Sequence, residues 1–364
     1  MKKVSNIETK KLENLYKLNK LTELENETKK LLQIESNNII LLNILGVVYL
    51  KKKLFQEAEL IFKKILDQNS KNVNALKNLG ETYRKTNKFS SAIKYYEFYL
   101  AINSNDNEVI NNLASCYLKN KRYKLAVSYY KDLSKKNPQD QEYLANLAFA
   151  LIESLNFKEG MQILEQLLDK NIINRRVLSG YLFNQNYNPQ INFIKLNNYI
   201  KKFNQSLKKD NLNIINFCYK KNPEKINVGL VSPDFRSHPV GYAFTNVIEH
   251  LKSYNFNLFG YYSFSFEDNL TNKFKKDFDT FHNVTDLNDE QIINKIRSDG
   301  IHILIDLAGY TFNNRLSIFF NNPAPIQISM LGYLATTGIK EIKYKIGDPY
   351  IYPETIEKNF SEKI

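Results

Sequence analysis

The residues best suited to chemistry lie in Ser232-Pro233-Asp234-Phe235-Arg236-Ser237-His238-Pro239, where a carboxylate, a guanidinium and an imidazole follow the β-rich run INVGLVS. Pro239 suits the first turn of a helix, which places His238 at that helix's N-terminal end. The positive end of the helix dipole disfavours imidazolium there, so the ring stays neutral and able to accept a proton. Asp234 or His238 could equally serve only as the cap of that helix. His250 falls within a helix and His282 after one, while His302 and Asp299 stand at the start of a strand, on the side away from a cleft. Two further apolar runs end in Gly309-Tyr310-Thr311 and in Leu331-Gly332-Tyr333 through Gly338. Glycines there let backbone approach a ligand closely, so Asp234, Tyr310, Gly332 and Tyr333 are candidates for a cleft edge. Neither GxGxxG nor a P-loop is present, so the usual nucleotide cradle is absent.

The elements that must position these residues begin at Ile226, where short β-rich runs alternate with helical ones. IHILIDLA is apolar on both faces, as a central parallel strand must be. The pattern predicts a doubly wound α/β unit over 226–364, in which ligands bind beyond the carboxyl ends of the strands. Residues Lys220 to Lys225 (KKNPEK) read as a polar linker before it. Segment 171–225 as a whole reads as helix, turn at Tyr187-Asn188-Pro189, and helix.

Ahead of that unit a register of 34 repeats four times: Leu45-Gly46, Leu79-Gly80, Leu113-Ala114 and Leu147-Ala148. Ala58, Ala92, Ala126 and Gly160 follow twelve positions after each small residue, and Phe62, Tyr96, Tyr130 and Leu164 four later. Small residues facing large ones let two antiparallel helices approach, and the spacing is that of the tetratricopeptide repeat. Four such repeats span 37–170, and 1–36 keeps the helical period without the small residues, as a degenerate cap would. Asn78, Asn112 and Asn146 each precede an anchor Leu, while the first repeat has Ile44 there. A row of amides with both donor and acceptor can hold an extended peptide backbone. Asn43, Asn74 and Asn111 nearby show that Asn is also simply common on this surface.

With 364 residues and 43% hydrophobic content the chain exceeds one ordinary core, and disorder is excluded as its main state. Cys116 and Cys218 form no CxxC pair, so neither a disulfide scaffold nor a zinc module fits, and no metal or cofactor is expected. No signal peptide or membrane span is legible, which points to the cytoplasm. Residues 226–364 carry 13 basic against 16 acidic residues, and those before them 38 against 22. The basic half lacks an interleaved aromatic stripe, so nucleic acid is not an expected partner.

The strings VGLVSPDFRSHPVGY, RSDGIHILIDLAGYT and NNPAPIQISMLGYLATTG, behind such an array, resemble the O-GlcNAc transferase and SPINDLY family of nucleotide-sugar glycosyltransferases. The resemblance implies an α-solenoid followed by a Rossmann-like lobe of GT-B type, and metal-free, inverting transfer of a sugar from UDP-GlcNAc to Ser or Thr. It further implies His238 as proton acceptor, and Asn78, Asn112 and Asn146 as a ladder holding acceptor polypeptides. Tyr242 stands where the family often has a second His. Residues 226–364 offer room for one lobe, so the donor lobe is expected from elsewhere, such as a separate chain. These 364 residues alone are then expected not to transfer sugar. The alternative is a non-enzymatic repeat scaffold with a remnant lobe.

Overall fold

The computed structural model describes residues 6–170, 174–207, 212, 214–218 and 222–364. Lys220 and Lys221 of the expected linker lie outside these. The chain divides into two compact units, Met1–Ile163 and Leu164–Ile364.

In the first unit the helices follow in pairs. They are α1 (Asn6–Lys17) and α2 (Leu21–Ile34), α3 (Ile39–Lys51) and α4 (Phe55–Gln68), α5 (Val73–Lys85) and α6 (Phe89–Ile102), α7 (Asn107–Lys119) and α8 (Tyr123–Lys136), then α9 (Gln141–Glu153) and the start of α10 (Phe157–Asp169). The spacing of 34 extends to features that the anchors did not disclose. Asn38, Asn72, Asp106 and Asp140 cap the first helix of successive pairs by accepting backbone N–H bonds. Asn19, Lys53, Asn87, Lys121 and Leu155 turn each pair with positive φ. Asn19 places α1 and α2 in the same phase, with buried Leu12 and Leu24 where the later pairs have small residues.

Small against large is the packing rule between the helices of a pair. A Cβ added to Gly46 would lie 2.6 Å from the Phe62 ring, and one added to Gly80 would lie 2.7 Å from the Tyr96 ring. Ala58, Ala92 and Ala126 are completely buried beside them.

The second unit continues with α11 (Arg175–Asn184) and α12 (Phe193–Leu207), then β1 (Ile226–Ser232), α13 (Pro239–Leu251), β2 (Phe256–Tyr262), α14 (Asn269–Asp277), β3 (Thr280–Asn283) and α15 (Asp289–Ser298). It ends with β4 (Ile303–Asp306), α16 (Leu316–Phe319), β5 (Ile326–Ser329), β6 (Tyr344–Lys345) and α17 (Glu354–Glu357). The strands form one sheet in the order β3-β2-β1-β4-β5-β6, and every pairing is parallel. Strand order reverses between β1 and β4, so the chains leaving their carboxyl ends diverge and open a crevice there. Strand β3 was not foreseen. Segment 171–225, read as a helical linker of helix, turn and helix, holds α11 and α12 among its described residues, and α12 packs into the unit: Phe203 meets Tyr310 edge-on at 5.1 Å, and Asn204 Nδ2 donates to the Gly338 carbonyl at 2.7 Å.

Gly80→Ala is expected to destabilise the protein by about 1–3 kcal/mol, the usual cost of overpacking. Tyr96 is fully buried and its hydroxyl is held by Glu81 at 2.9 Å, so the ring has little freedom to move aside. An unchanged denaturant midpoint would refute the close approach of α5 and α6.

Candidate functional site

The loop from β1 to α13 is fixed from beneath. Phe235 is completely buried, with its ring 5.1–6.4 Å from those of Tyr262, Phe274, Phe278 and Phe281. Its neighbours, buried Asp234 and partly exposed Arg236, are thereby fixed just beyond the carboxyl end of β1. The Asp234 backbone N–H donates to Ser232 Oγ at 3.0 Å, and its carboxylate accepts from Arg236 Nη2 at 3.1 Å. Arg236 also lies over the Phe264 ring at 4.6 Å. Ser237 N donates to Asp268 Oδ2 at 2.7 Å. The loop then folds tightly over the first turn of α13, where a Cβ on Gly241 would meet the Arg236 carbonyl oxygen at 2.2 Å and that of Asp234 at 2.5 Å. Phe235 and Gly241 escaped the reading of the sequence because neither carries a reactive group.

His238 is the N-cap of α13. Its Nδ1 accepts the Val240 N–H at 3.3 Å and lies 3.5 Å from Asp234 Oδ1. The side chain is 35% exposed, against 8% for Asp234. Burial lowers the pKa of His238, with Arg236 acting in the same direction and Asp234 against it. Burial raises the pKa of Asp234, opposed by His238 and Arg236. The imidazole is therefore neutral at pH 7.

The other expected cleft-edge residues are placed differently. Tyr310 is buried, with its hydroxyl donating to the Thr337 carbonyl at 2.6 Å. Tyr333 is buried edge-on against it at 5.5 Å. Both rings shape the interior instead of lining an opening, because Gly309 and Gly332 adopt positive φ and turn the chain inward beside them. Gly332 sits so close to the Leu307 carbonyl that a Cβ would fall 1.9 Å from its oxygen.

Beneath these loops lies a charged cluster that the sequence did not disclose. Asp306, at the end of β4 and wholly buried, accepts N–H bonds from Ala308 at 3.2 Å and Gly309 at 2.8 Å. Lys345 is buried and donates to Ser329 Oγ at 3.2 Å and to the Tyr333 carbonyl at 2.8 Å. Glu362 accepts from Thr336 Oγ1 at 2.6 Å and from the Thr337 N–H at 2.7 Å. Burial lowers the pKa of Lys345, with Glu362 and Asp306 acting against it. The histidines outside the crevice are engaged elsewhere. His282 Nε2 and the Tyr261 hydroxyl meet Asp299 Oδ2 at 3.0 and 2.8 Å, and His302 Nδ1 accepts the Asn227 N–H at 3.1 Å.

On the repeats, Asn78, Asn112 and Asn146 lie on α5, α7 and α9, the first helix of each pair. Asn78 Nδ2 donates to Asn43 Oδ1 at 3.2 Å, and Asn146 Nδ2 to Asn111 Oδ1 at 2.9 Å. In the repeat between, the place of Asn43 and Asn111 is taken by Lys77, which binds Asp106 at 3.1 Å and Glu108 at 2.7 Å. Among the described residues no group of three or more His, Cys, Asp or Glu side chains could hold a metal ion, and no helix is long and apolar enough to cross a membrane.

Residues 185–364 match the model of glycosyl transferase family 41, and residues 83–145 and 117–171 match that of the tetratricopeptide repeat. Probable UDP-N-acetylglucosamine–peptide N-acetylglucosaminyltransferases are among the relatives. SPINDLY of Solanum lycopersicum is 30% identical over 39% of this chain and 16% of its own length, and SEC of Arabidopsis thaliana is 33% identical over 39% and 14%. Over residues 185–364 the chain is thus similar to the O-GlcNAc transferase and SPINDLY family. The solved O-GlcNAc transferase of Thermobaculum terrenum shares the fold, with a TM-score of 0.72 at 23% identity, over 80% of this chain and 56% of that one. The sequence matches thus span about a sixth of the length of the curated SPINDLY relatives. Tyr242, which stands where the resembled family often has a second His, is exposed, and its backbone N–H donates to the His238 carbonyl at 2.9 Å.

Burial raises the Asp306 pKa to about 6, the two backbone N–H bonds and Lys345 opposing it. A carboxylate that holds its proton longer folded than unfolded makes the folded state the better proton binder between the two values. Its contribution to stability is therefore present below about pH 4 and is lost as pH rises to about 6. Asp306→Asn is expected to remove that part of the slope in denaturant midpoints measured at intervals across this window. An unaltered slope would place the titration elsewhere.

Proposed function

We propose that this chain supplies the acceptor side of a protein O-linked N-acetylglucosaminyltransferase, with the repeats holding an acceptor polypeptide and the crevice between β1 and β4 receiving its Ser or Thr hydroxyl. In the reaction the hydroxyl oxygen attacks the anomeric carbon of UDP-GlcNAc, the bond from that carbon to the diphosphate breaks with its electron pair going to the diphosphate oxygen, UDP leaves with inversion at the sugar, and the hydroxyl proton passes to water. The observation that carries this reading is the position of His238, neutral and partly open, on a rigid loop at the switch point of a family 41 sheet.

The leaving diphosphate needs charge stabilisation, and losing one such donor typically costs about 10² to 10³ in rate. The guanidinium carried by the crevice loop, Arg236, is spent on Asp234. The diphosphate is therefore met by groups outside residues 226–364, on the same polypeptide or on a partner.

Two experiments test the proposal. The 364 residues alone are expected to give no transfer from UDP-GlcNAc to a Ser/Thr peptide, and turnover would overturn the assignment of the diphosphate site. When a donor-binding lobe from a family member is supplied, one N-acetylhexosamine should appear on the peptide by mass spectrometry. No transfer by an assembly that binds both substrates would overturn the function itself.

For the repeats, the triple variant Asn78→Ala, Asn112→Ala, Asn146→Ala is expected to weaken capture of unstructured peptides about tenfold or more, each lost amide bond being worth about 1 kcal/mol. Unchanged affinity in a variant with native helicity would refute the ladder.

A further inference from the structure

We propose that His238 meets its ligand as a hydrogen-bond donor, through Nε2–H, and not as the proton acceptor that the family resemblance implies. This rests on the crevice reading above and specifies what its histidine does there. A neutral imidazole has one N–H and one lone pair, and the partner of one ring nitrogen decides which nitrogen keeps the proton. At His238 that partner is a backbone amide. Pro239 occupies the first helical position and has no N–H, so Val240 carries the first donor of α13, and the ring lone pair at Nδ1 caps it at 3.3 Å. An amide N–H can only donate. Nδ1 must keep its lone pair, and the proton of the neutral ring sits on Nε2.

One competitor could reverse this. Asp234 Oδ1 lies 3.5 Å from the same Nδ1 and would favour a proton there. That separation is long for an N–H···O bond, and the same oxygen already accepts from Arg236 Nη2. Placing a proton on Nδ1 would also turn it against the Val240 N–H and leave the first donor of the helix without an acceptor. The capping bond therefore decides the tautomer. Nε2 has no hydrogen-bond partner among the described residues, and the ring is partly exposed. It thus offers an N–H to an oxygen lone pair of whatever enters the crevice, a hydroxyl or a phosphate oxygen, and it has no lone pair at that atom to take a proton.

The test is nuclear magnetic resonance of the full chain labelled with ring-15N histidine at about pH 8, where the His238 ring is neutral. The His238 signals are assigned by their absence in His238→Gln. A protonated Nε2 with a bare Nδ1 is expected, in the wild type and in Asp234→Asn alike, and a proton on Nδ1 of the wild type overturns the proposal. UDP-GlcNAc and a Ser/Thr peptide are then added separately. A shift of the Nε2 signal with one of them identifies the source of the oxygen, and no shift with either, once calorimetry shows binding, overturns the donor role. Gln offers an amide N–H near the place of Nε2 but cannot take up a proton. His238→Gln should therefore keep the affinity of the responding ligand about five- to tenfold above His238→Ala, and equal losses overturn the proposal. The tautomer is read without any ligand. If neither substrate binds, the functional reading fails while the tautomer remains measured.

Discussion

Burial of one apolar ring governs the geometry of the crevice. Phe235 stands between Asp234 and Arg236, and its seat among Tyr262, Phe274, Phe278 and Phe281 removes a large apolar surface from water. Full burial of a Phe side chain stabilises by about 1.5–3 kcal/mol, so the loop has one strongly preferred position. Its polar neighbours then have no choice of place. The Asp234 carboxylate is caught between Arg236 and His238, and the absence of a side chain at Gly241 lets the loop close over α13. A site on a loop is usually less well positioned than one on a strand or helix. Here the aromatic seat and the helix cap supply the missing rigidity.

A second constraint acts on the neighbouring loops. Charged groups are seldom fully buried without partners, yet Asp306, Lys345 and Glu362 are all interior. The reason is in their bonds. Asp306 closes the turn after β4, Lys345 holds the Tyr333 carbonyl, and Glu362 gathers Thr336 and Thr337. With the Tyr310 hydroxyl on Thr337 and Asn204 on Gly338, the loop 332–338 is fixed by side chains from four separate parts of the unit, Asn204, Tyr310, Lys345 and Glu362. Replacing one partner would leave the others buried and unpaired, which is why such clusters hold loops rigidly even where their net contribution to stability is small.

How much of this was legible depends on whether a residue's role shows in its immediate neighbours. The repeats were readable because one contact, small against large, recurs at 34 residues, and Gly46 with Phe62 or Gly80 with Tyr96 carries it in full. His238 was readable from a strand run before it and a proline after it. Strand β3 was missed because Thr280–Asn283 is four residues at a sheet edge, too short for alternation to show, so His282 was put after a helix. Tyr310 and Tyr333 were assigned to a cleft edge because they neighbour glycines at strand ends. The same glycines, by turning the chain, drive the rings inward. Lys345 and Glu362 lie 17 residues apart with no pattern in the sequence that links them, and only tertiary structure shows both buried.

The asparagine pairs tie successive repeats to one another through their side-chain amides. Asn43 and Asn111 seemed in the sequence to argue that Asn78, Asn112 and Asn146 were ordinary surface, whereas they are bonded partners of two of them. An amide has two N–H donors and an oxygen with two lone pairs. The bond from Asn78 to Asn43 consumes one donor on one side and one lone pair on the other. In each pair the amide planes are fixed by the partner from the preceding repeat, and Asn146 is buried as well. Fixing an amide before binding removes rotamer entropy that would otherwise be lost on contact. Lys77 breaks the pattern in the middle repeat and is neutralised by Asp106 and Glu108. The bonded amide pairs therefore occur on either side of the repeat that carries Lys77.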